Sequence, residues 1–291
     1  MLEQFLEGKY SVVDCPTEQD YYTLWREQGL GVLAPSESAI AGALLADRLP
    51  WVFAAGYQAT LQNAFPGLPE SGWAAFIATE DTQDPQAHPG TTLTGDGDGL
   101  LLNGHKSWVA HSRFVDHLIV TVNDPDGDKY RARGLIIERA RRGVTLTHRE
   151  QPSFLAGLSQ GYAKFENTPV DPSEVFEFGP IGQFGRTEAK FVMLAGTAFM
   201  LARTDEDSDL RDRIITISAA LIALLGEEET SRQVYATIDR EFQRATDLFE
   251  RQVDTGAIAD YEVDKRLFRM YTARIQRRRE YAKREASERP A

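Results

Sequence analysis

The sequence predicts an α+β multidomain fold with a short helical N-terminal domain over residues 1–70, a central antiparallel β-sandwich or barrel domain over 71–180, and an up-down helical bundle over 181–291. Two observations carry this. Between Trp73 and Phe178, Val, Ile, Phe and Thr gather in runs of about 5–8 residues bounded by Gly, Asp and Pro, with no helical periodicity between them, which reads as strands joined by turns. On both sides of that segment the apolar residues recur at helical spacing instead.

In the N-terminal part, Cys15-Pro16-Thr17 precedes a helical run from Glu18 to Arg26. Thr17 is the expected N-cap, and Glu18 and Asp20 fall in the first turn, where the helix dipole favours negative charge. Gly29 and Gly31 end the run. Ser36 is expected to cap a second helix through Ala39–Asp47, and Pro50 to break or kink it. Trp51–Leu61 is apolar nearly all round, so it is expected to be buried. Pro66, Gly67 and Pro69 lead into the strands.

The β segment opens with Trp73–Glu80, passes through a turn-rich stretch from Asp81 to Gly99, and continues as Leu100–His111 and Val115–Val122. Arg133–Glu138, Gly143–Thr147 and Gly161–Val170 are further strands. Asn103-Gly104 is a local turn signal. The alternating glycines of Gly95-Asp-Gly-Asp-Gly99 join two strands and open no helix, so they read as a hairpin turn rather than a nucleotide or calcium loop.

In the C-terminal part, Thr187 is expected to cap Glu188–Arg203, and Asp205–Asp209 connects to Leu210–Leu225. Glu227, Glu228 and Glu229, after Gly226, are expected to form a helix N-terminus. The run to Asp254 carries the one-sided stripe Val234, Ile238, Phe242, Ala245, Phe249. A last helix begins at Tyr261, and its basic end, Arg274–Arg289, reads as a solvated face or tail. A stripe of that kind needs a cover, which leads to the expectation of a homodimer or larger through the bundle.

A formal net charge of −12 argues against a general nucleic-acid binder, which needs clustered Lys and Arg. A lone Cys15 leaves no internal disulfide and fits a reducing compartment, so a cytoplasmic location is expected, with Cys15 inert. Met1–Glu7 has acidic residues and no basic flank, unlike a secretory leader. No uncharged apolar run approaches the ~18 residues of a membrane span. The five histidines, His88, His105, His111, His117 and His148, show no metal-ligand spacing.

The ordered set Thr79-Glu80, Asp98-Gly99, Leu102-Asn103-Gly104-His105-Lys106-Ser107-Trp108 and Val115-Asp116 resembles the middle β-domain of acyl-CoA dehydrogenases. The layout of helices, β-domain and helical bundle is similar to that family's as well, with both helical parts abbreviated. The resemblance implies FAD as hydride acceptor, an acyl-CoA or related thioester as substrate, and a carboxylate that removes the α-proton. It places Phe76, Ala78 and Thr79 where the family's first strand touches the flavin ring by backbone and hydroxyl, Trp108 where an aromatic packs on it, and Ala110 where a threonine hydroxyl would bond it. On the residues alone, Trp108 reads equally as a core residue of the β-domain and Lys106 as a surface lysine. Glu188 lies near the position of a catalytic base on the first bundle helix, one residue out of register; its plainer reading is a glutamate in a helix's first turn.

The sequence departs from the family pattern in four places. Asp81-Thr-Gln-Asp84-Pro85 replaces a glycine loop, adding acids where phosphates would lie. Ala110 offers no donor. The dinucleotide-holding Arg-x-x-Phe-Gly element is missing, since Gln183-Phe184-Gly185-Arg186 is expected ahead of the first bundle helix, and so is the terminal segment with the usual catalytic Glu. Two functions follow: an FAD-dependent dehydrogenase acting on an acyl-CoA, or a lapsed paralogue with flavin held weakly or lost, serving as a partner subunit or acyl-ligand binder.

Overall fold

The computed structural model describes residues 10–96, 99–122, 132–150, 152–227 and 231–288. It is α+β, with helices at the N-terminal end, β-sheets in the middle and helices at the C-terminal end. The leader expectation at Met1–Glu7, the Asp98 of the hairpin turn, Glu228 and Glu229, and Arg289 at the end of the basic run lie outside the described residues. The chain divides into two compact units, one of residues 1–16, 33–59 and 187–291, the other of 17–32 and 60–186.

The second unit holds the strands. Helix α1, Glu18–Glu27, begins as the sequence predicts, with Thr17 and Asp20 closing a reciprocal capping box. It is fixed to the strands by polar and aromatic contacts. The Tyr22 hydroxyl donates to Asp116 Oδ2 at 2.8 Å, and Asp116 Oδ2 also accepts the Trp73 N–H at 2.9 Å. Burial, the Asp116 hydrogen bond and its charge push the Tyr22 phenol up to about 12. The Trp25 and Trp73 rings meet edge-on at 6.4 Å.

The strands are β1 (Trp73–Ile77), β2 (Thr92–Asp96), β3 (Gly99–Ala110), β4 (Val115–Val122), β5 (Arg133–Glu138), β6 (Val144–His148), β7 (Gln160–Val170) and β8 (Val175–Phe176). They form two four-stranded sheets, ordered β1-β4-β5-β8 and β2-β3-β7-β6. All pairings but one are antiparallel; β1 runs parallel to β4. The exception follows from connectivity. The chain leaves β1 to build β2 and β3 in the other sheet, and returns to β1's side in β1's own direction. Ala75, Ile77, Leu118, Val120, Leu135, Val109 and Phe165, drawn from both sheets, form one buried core.

Asn103-Gly104 makes no turn. Strand β3 runs through it, and the pairing with β7 shifts register between Leu102 and Gly104. Gly104 has φ of +120°, and a Cβ there would lie 2.4 Å from the Gly90 carbonyl oxygen. The Asn-Gly pair therefore serves a bulge that lets the returning loop pass close to the strand. Asn103 Oδ1 accepts the Asn167 N–H at 2.8 Å across that bulge.

The helical unit contains α2 (Pro35–Leu45), most of α3 (Leu49–Ala64) and of α4 (Phe178–Leu201), then α5 (Asp209–Leu225), α6 (Arg232–Gln252), the short α7 (Tyr261–Asp264) and α8 (Thr272–Glu288). Helix α2 starts at Pro35 with no side-chain cap, so Ser36 is not the N-cap. Pro50 neither breaks nor kinks a helix. It sits in the first turn of α3, where its missing N–H has no intrahelical role. Helices α3 and α4 approach closely at Gly56, where a Cβ would lie 2.6 Å from the Val192 Cα. The α6 stripe is covered within the unit at Phe242, Ala245 and Phe249, which are buried, whereas Ile238 is half-buried and Val234 is 47% exposed. Phe242 meets Phe268 edge-on at 5.8 Å, and Phe249 lies 6.4 Å from both Phe199 and Tyr261. The part of the stripe from Phe242 to Phe249 is thus covered by the unit's own helices. No helix among the described residues is long and apolar enough to cross a membrane.

Candidate functional site

The motif residues gather where the chain runs off the end of β1. Ala78 and Thr79 are exposed there. The Thr79 carbonyl accepts from both the Ser107 N–H, at 2.8 Å, and the Ser107 hydroxyl, at 3.2 Å, which draws it against β3. Trp108 follows on that strand, half-buried, with Nε1 donating to Gln160 Oε1 at 3.3 Å, so it is not a fully buried core residue. Ala110, two residues on, is buried.

Lys106 overturns its sequence reading as a surface lysine. Its side chain is wholly buried, and Nζ donates to Glu80 Oε1 at 2.7 Å and to Thr121 Oγ1 at 3.3 Å. Glu80 Oε1 also accepts from the Thr91 N–H and hydroxyl, each at 3.1 Å. Burial by itself would raise the Glu80 carboxyl; the Lys106 ammonium and the Thr91 bonds overcome that and hold it below the usual range. Burial also lowers the Lys106 ammonium, against the pull of Glu80. The Thr-Glu and Lys of the motif are therefore two halves of one clamp, fastening both ends of the loop between Glu80 and Thr91. Strand alternation, which puts Lys106 on the same face as the buried Leu102 and Gly104, was the signal for it.

A second buried polar group joins α1 to the strands. His111 Nδ1 donates to Glu18 Oε1 at 2.9 Å, and Glu18 Oε2 accepts the Ser159 N–H at 2.9 Å. His111 has φ of +55° and packs its ring 4.3 Å from that of Trp73. The Ser112 hydroxyl and His148 Nδ1 are 2.8 Å apart, but Ser112 is fully buried, so this pair is structural and not a nucleophile with its base.

Glu188 lies in the helical unit, and its first-turn reading is overturned. Helix α4 begins at Phe178, so Thr187 is no cap and Glu188 stands in the helix interior. Gln183-Phe184-Gly185-Arg186 is likewise inside the helix rather than ahead of it. Pro180, Gly179, Gly182 and Gly185 read as breakers in the sequence. Pro180 falls in the first turn, where it is tolerated, and Phe184 is anchored by packing 4.3 Å from Phe76. Burial raises the Glu188 carboxyl, opposed by the Tyr271 hydroxyl and the Arg274 charge.

No family model matches the sequence, and no curated protein matches it. Solved structures do. An FAD-dependent dehydrogenase superposes with a TM-score of 0.63 at 14% identity, over 95% of this chain and 94% of its own length. PigA in complex with FAD gives 0.59 at 15%, over 94% and 88%, and the prolyl acyl carrier protein oxidase AnaB gives 0.55 at 16%, over 89% and 90%. This chain has the acyl-CoA dehydrogenase fold. Identities this low establish the architecture alone.

FAD is the group this fold implies, and the residues at the end of β1 do not fit a tightly held flavin. The Phe76 ring is already faced by Phe184 at 4.3 Å and by Phe65 at 5.9 Å. The Thr79 carbonyl is taken up by Ser107. Ala110 is 1% exposed and has no side-chain donor. In the replaced loop, Asp81 Oδ1 accepts from Gln83 and Asp84 N–H groups and Asp84 Oδ1 from Ala87, so both acids cap their own turn at the surface. The backbone hydrogen bonds from Gln83 and Asp84 hold the Asp81 carboxyl below its usual range, so this loop presents a negative charge that repels rather than attracts phosphate.

Proposed function

We propose that this chain is an acyl-CoA-dehydrogenase-like protein without a working flavin site of its own, acting as an acyl-thioester binder or as partner subunit to a flavin-bearing relative. The observation that carries this reading is Ala110, buried and without a side-chain donor where the resemblance calls for a hydroxyl, on a domain whose Phe76 ring already packs 4.3 Å from Phe184. A neighbour of the same fold, at 13% identity and a TM-score of 0.51, comes from the two-protein ChsE4-ChsE5 complex, which supports assembly as a route to function. The test is an absorption spectrum of freshly purified protein, followed by anaerobic titration with a panel of acyl-CoAs. The expected result is a protein with no flavin band, or a substoichiometric one, and no bleaching.

The second reading is α,β-dehydrogenation of an acyl-CoA with FAD, using Glu188 as base. It draws support from Glu188's place inside α4 and its raised carboxyl, since a general base works best with its pKa moved toward the working pH. A stoichiometric flavin band bleached by an acyl-CoA would establish it over the first. Glu188→Gln should then abolish the bleaching while leaving the band in place.

A further inference from the structure

The segments that follow helix α1 and precede β1 enclose a cleft of about 590 Å³, within the roughly 300–1,000 Å³ of small-molecule sites. One wall is the end of α1 with the 3₁₀ turn Leu30–Val32, and the other is the stretch 68–72. The two walls are held at a fixed spacing. Gly31 meets the second wall so closely that a Cβ there would lie 2.0 Å from the Glu70 carbonyl oxygen. The Gly31 carbonyl in turn accepts from Gln62 Nε2 at 2.8 Å. Any side chain at position 31 would push the second wall outward, so the close approach depends on that glycine.

Trp25 lines this cleft and is otherwise packed away, with 1% of its surface exposed. Its ring meets those of Tyr21 and Trp73 at 6.4 Å each. The indole N–H, 3.7 Å from the place a Gly31 Cβ would take, is not sealed in, and it donates to no group among the described residues. The other tryptophans differ. Trp51 donates to the Cys15 carbonyl at 2.9 Å and Trp108 to Gln160 Oε1 at 3.3 Å, while the Trp73 nitrogen is enclosed. A fixed ring with an open donor at its edge offers a ligand a hydrogen bond with no side chain left to order. Arg26, the next residue on α1, is exposed and rests its guanidinium 5.8 Å from the Tyr22 ring. The second wall carries Glu70, also exposed. Val32, 64% exposed, and Leu68 and Pro69 give the cleft an apolar side.

We propose that this cleft binds a small zwitterion, an α-amino acid with an apolar side chain. The Trp25 N–H and the Arg26 guanidinium take its carboxylate, Glu70 takes its ammonium, and Val32, Leu68 and Pro69 cover its side chain. The charges decide between ligand classes. A plain carboxylate would meet Glu70 as a like charge, and a plain amine would meet Arg26 as one. A neutral apolar molecule would shut the indole N–H away from water with no acceptor, at a desolvation penalty. A zwitterion leaves none of the three groups uncompensated, and its carboxylate forms charge-assisted hydrogen bonds, the stronger kind. None of these residues is among those that the family resemblance assigns to the flavin, so the site stands or falls apart from that question.

The test is nitrogen–proton NMR of the indole groups in the isotopically labelled full chain, titrated with leucine, with leucinamide and with isocaproate. Trp25→Phe, which keeps an aromatic ring and lacks the donor, identifies the Trp25 signal by its loss. Leucine at millimolar concentration should move that signal downfield. The Trp51 signal, from an N–H already bonded to the Cys15 carbonyl, should stay in place. Leucinamide, which lacks the carboxylate, should bind about tenfold more weakly. Isocaproate, which lacks the ammonium, should bind about fivefold more weakly. Arg26→Gln and Glu70→Gln alter exposed side chains, so each should leave the circular dichroism spectrum unchanged and weaken leucine binding about fivefold. A Trp25 signal that leucine does not move, or binding that neither variant weakens, would overturn the proposal. Isocaproate binding as tightly as leucine would overturn it too, in favour of a simple carboxylate.

Discussion

Removing Glu80 should do more harm than removing Lys106, although they form one ion pair. Lys106 has no exposed side-chain surface, and Glu80 retains 21%. Glu80→Ala therefore leaves a buried ammonium that, among the described residues, keeps Thr121 Oγ1 at 3.3 Å and the Ala78 carbonyl at 3.5 Å as partners. It also strips both Thr91 donors of their acceptor, though the Thr91 hydroxyl keeps the Thr121 carbonyl at 2.8 Å. Breaking a buried pair from one side costs about 3–5 kcal/mol, and the partial exposure of Glu80 puts this case near 3. For a domain of this size that is roughly 6–12 °C in melting temperature. Lys106→Met fills the same space without charge and leaves Glu80 its Thr91 bonds and some water, so its cost should stay within about 1 kcal/mol. The double variant should sit close to Lys106→Met rather than at the sum, with a coupling of about 3 kcal/mol. Urea denaturation followed by circular dichroism measures all four proteins. A Glu80→Ala cost below about 1 kcal/mol, together with additive single effects, would refute the clamp. The pH dependence has a fixed sign. Glu80 is held below its ordinary value, so its contribution is fully present above the ordinary glutamate value of about 4.3 and is lost as pH falls through the lowered one.

Glu188 gives the opposite dependence: its raised carboxyl contributes fully below the ordinary glutamate value, and stability falls as pH rises toward the raised one. Melting temperatures from pH 5 to 8 should decline less in Glu188→Gln than in the unchanged protein, and parallel curves would rule the effect out. Gly104→Ala should destabilise by about 2–3 kcal/mol, because φ is +120° and the new Cβ would meet the Gly90 oxygen at 2.4 Å; a neutral result in denaturant would mean that the loop moves freely off the bulge. Phe184→Ala should cost about 3 kcal/mol through loss of a buried ring, and should also raise the uptake of added FAD if that ring is what covers Phe76; gel filtration with excess FAD reads the second effect, and unchanged uptake would count against the covering argument.

The alternation of apolar runs made the sheets legible, because a strand's pattern follows from burial of one face and needs no tertiary knowledge. Thr17 and Asp20 likewise announced α1 through local capping chemistry. The start of α4 was hidden for the converse reason. Its Gly- and Pro-rich first turns are disfavoured locally and are held by Phe184 against Phe76, a contact about a hundred residues away in sequence. Lys106 misled because a lysine in isolation belongs at the surface, and only the partner carboxylate at Glu80 makes its burial tolerable. Asn103-Gly104 misled because the same backbone freedom serves a turn or a bulge, and the choice lay with Gly90 on another segment.

The tie between Glu18 and His111 spans 93 residues, and that between Glu18 and Ser159 spans 141. A ribosome adds about 5–20 residues per second, so α1 emerges roughly 5–20 s before His111 exists, and longer before Ser159. Through that interval Tyr21, Tyr22 and Trp25 have no Trp73 or Asp116 to pack on, or only part of their final surroundings. The nascent chain thus carries an exposed aromatic helix that must be kept from sticking to other chains until the strands arrive. Slow synthesis at the β3–β4 stretch would prolong that exposure, and fewer soluble molecules per message would be its visible cost.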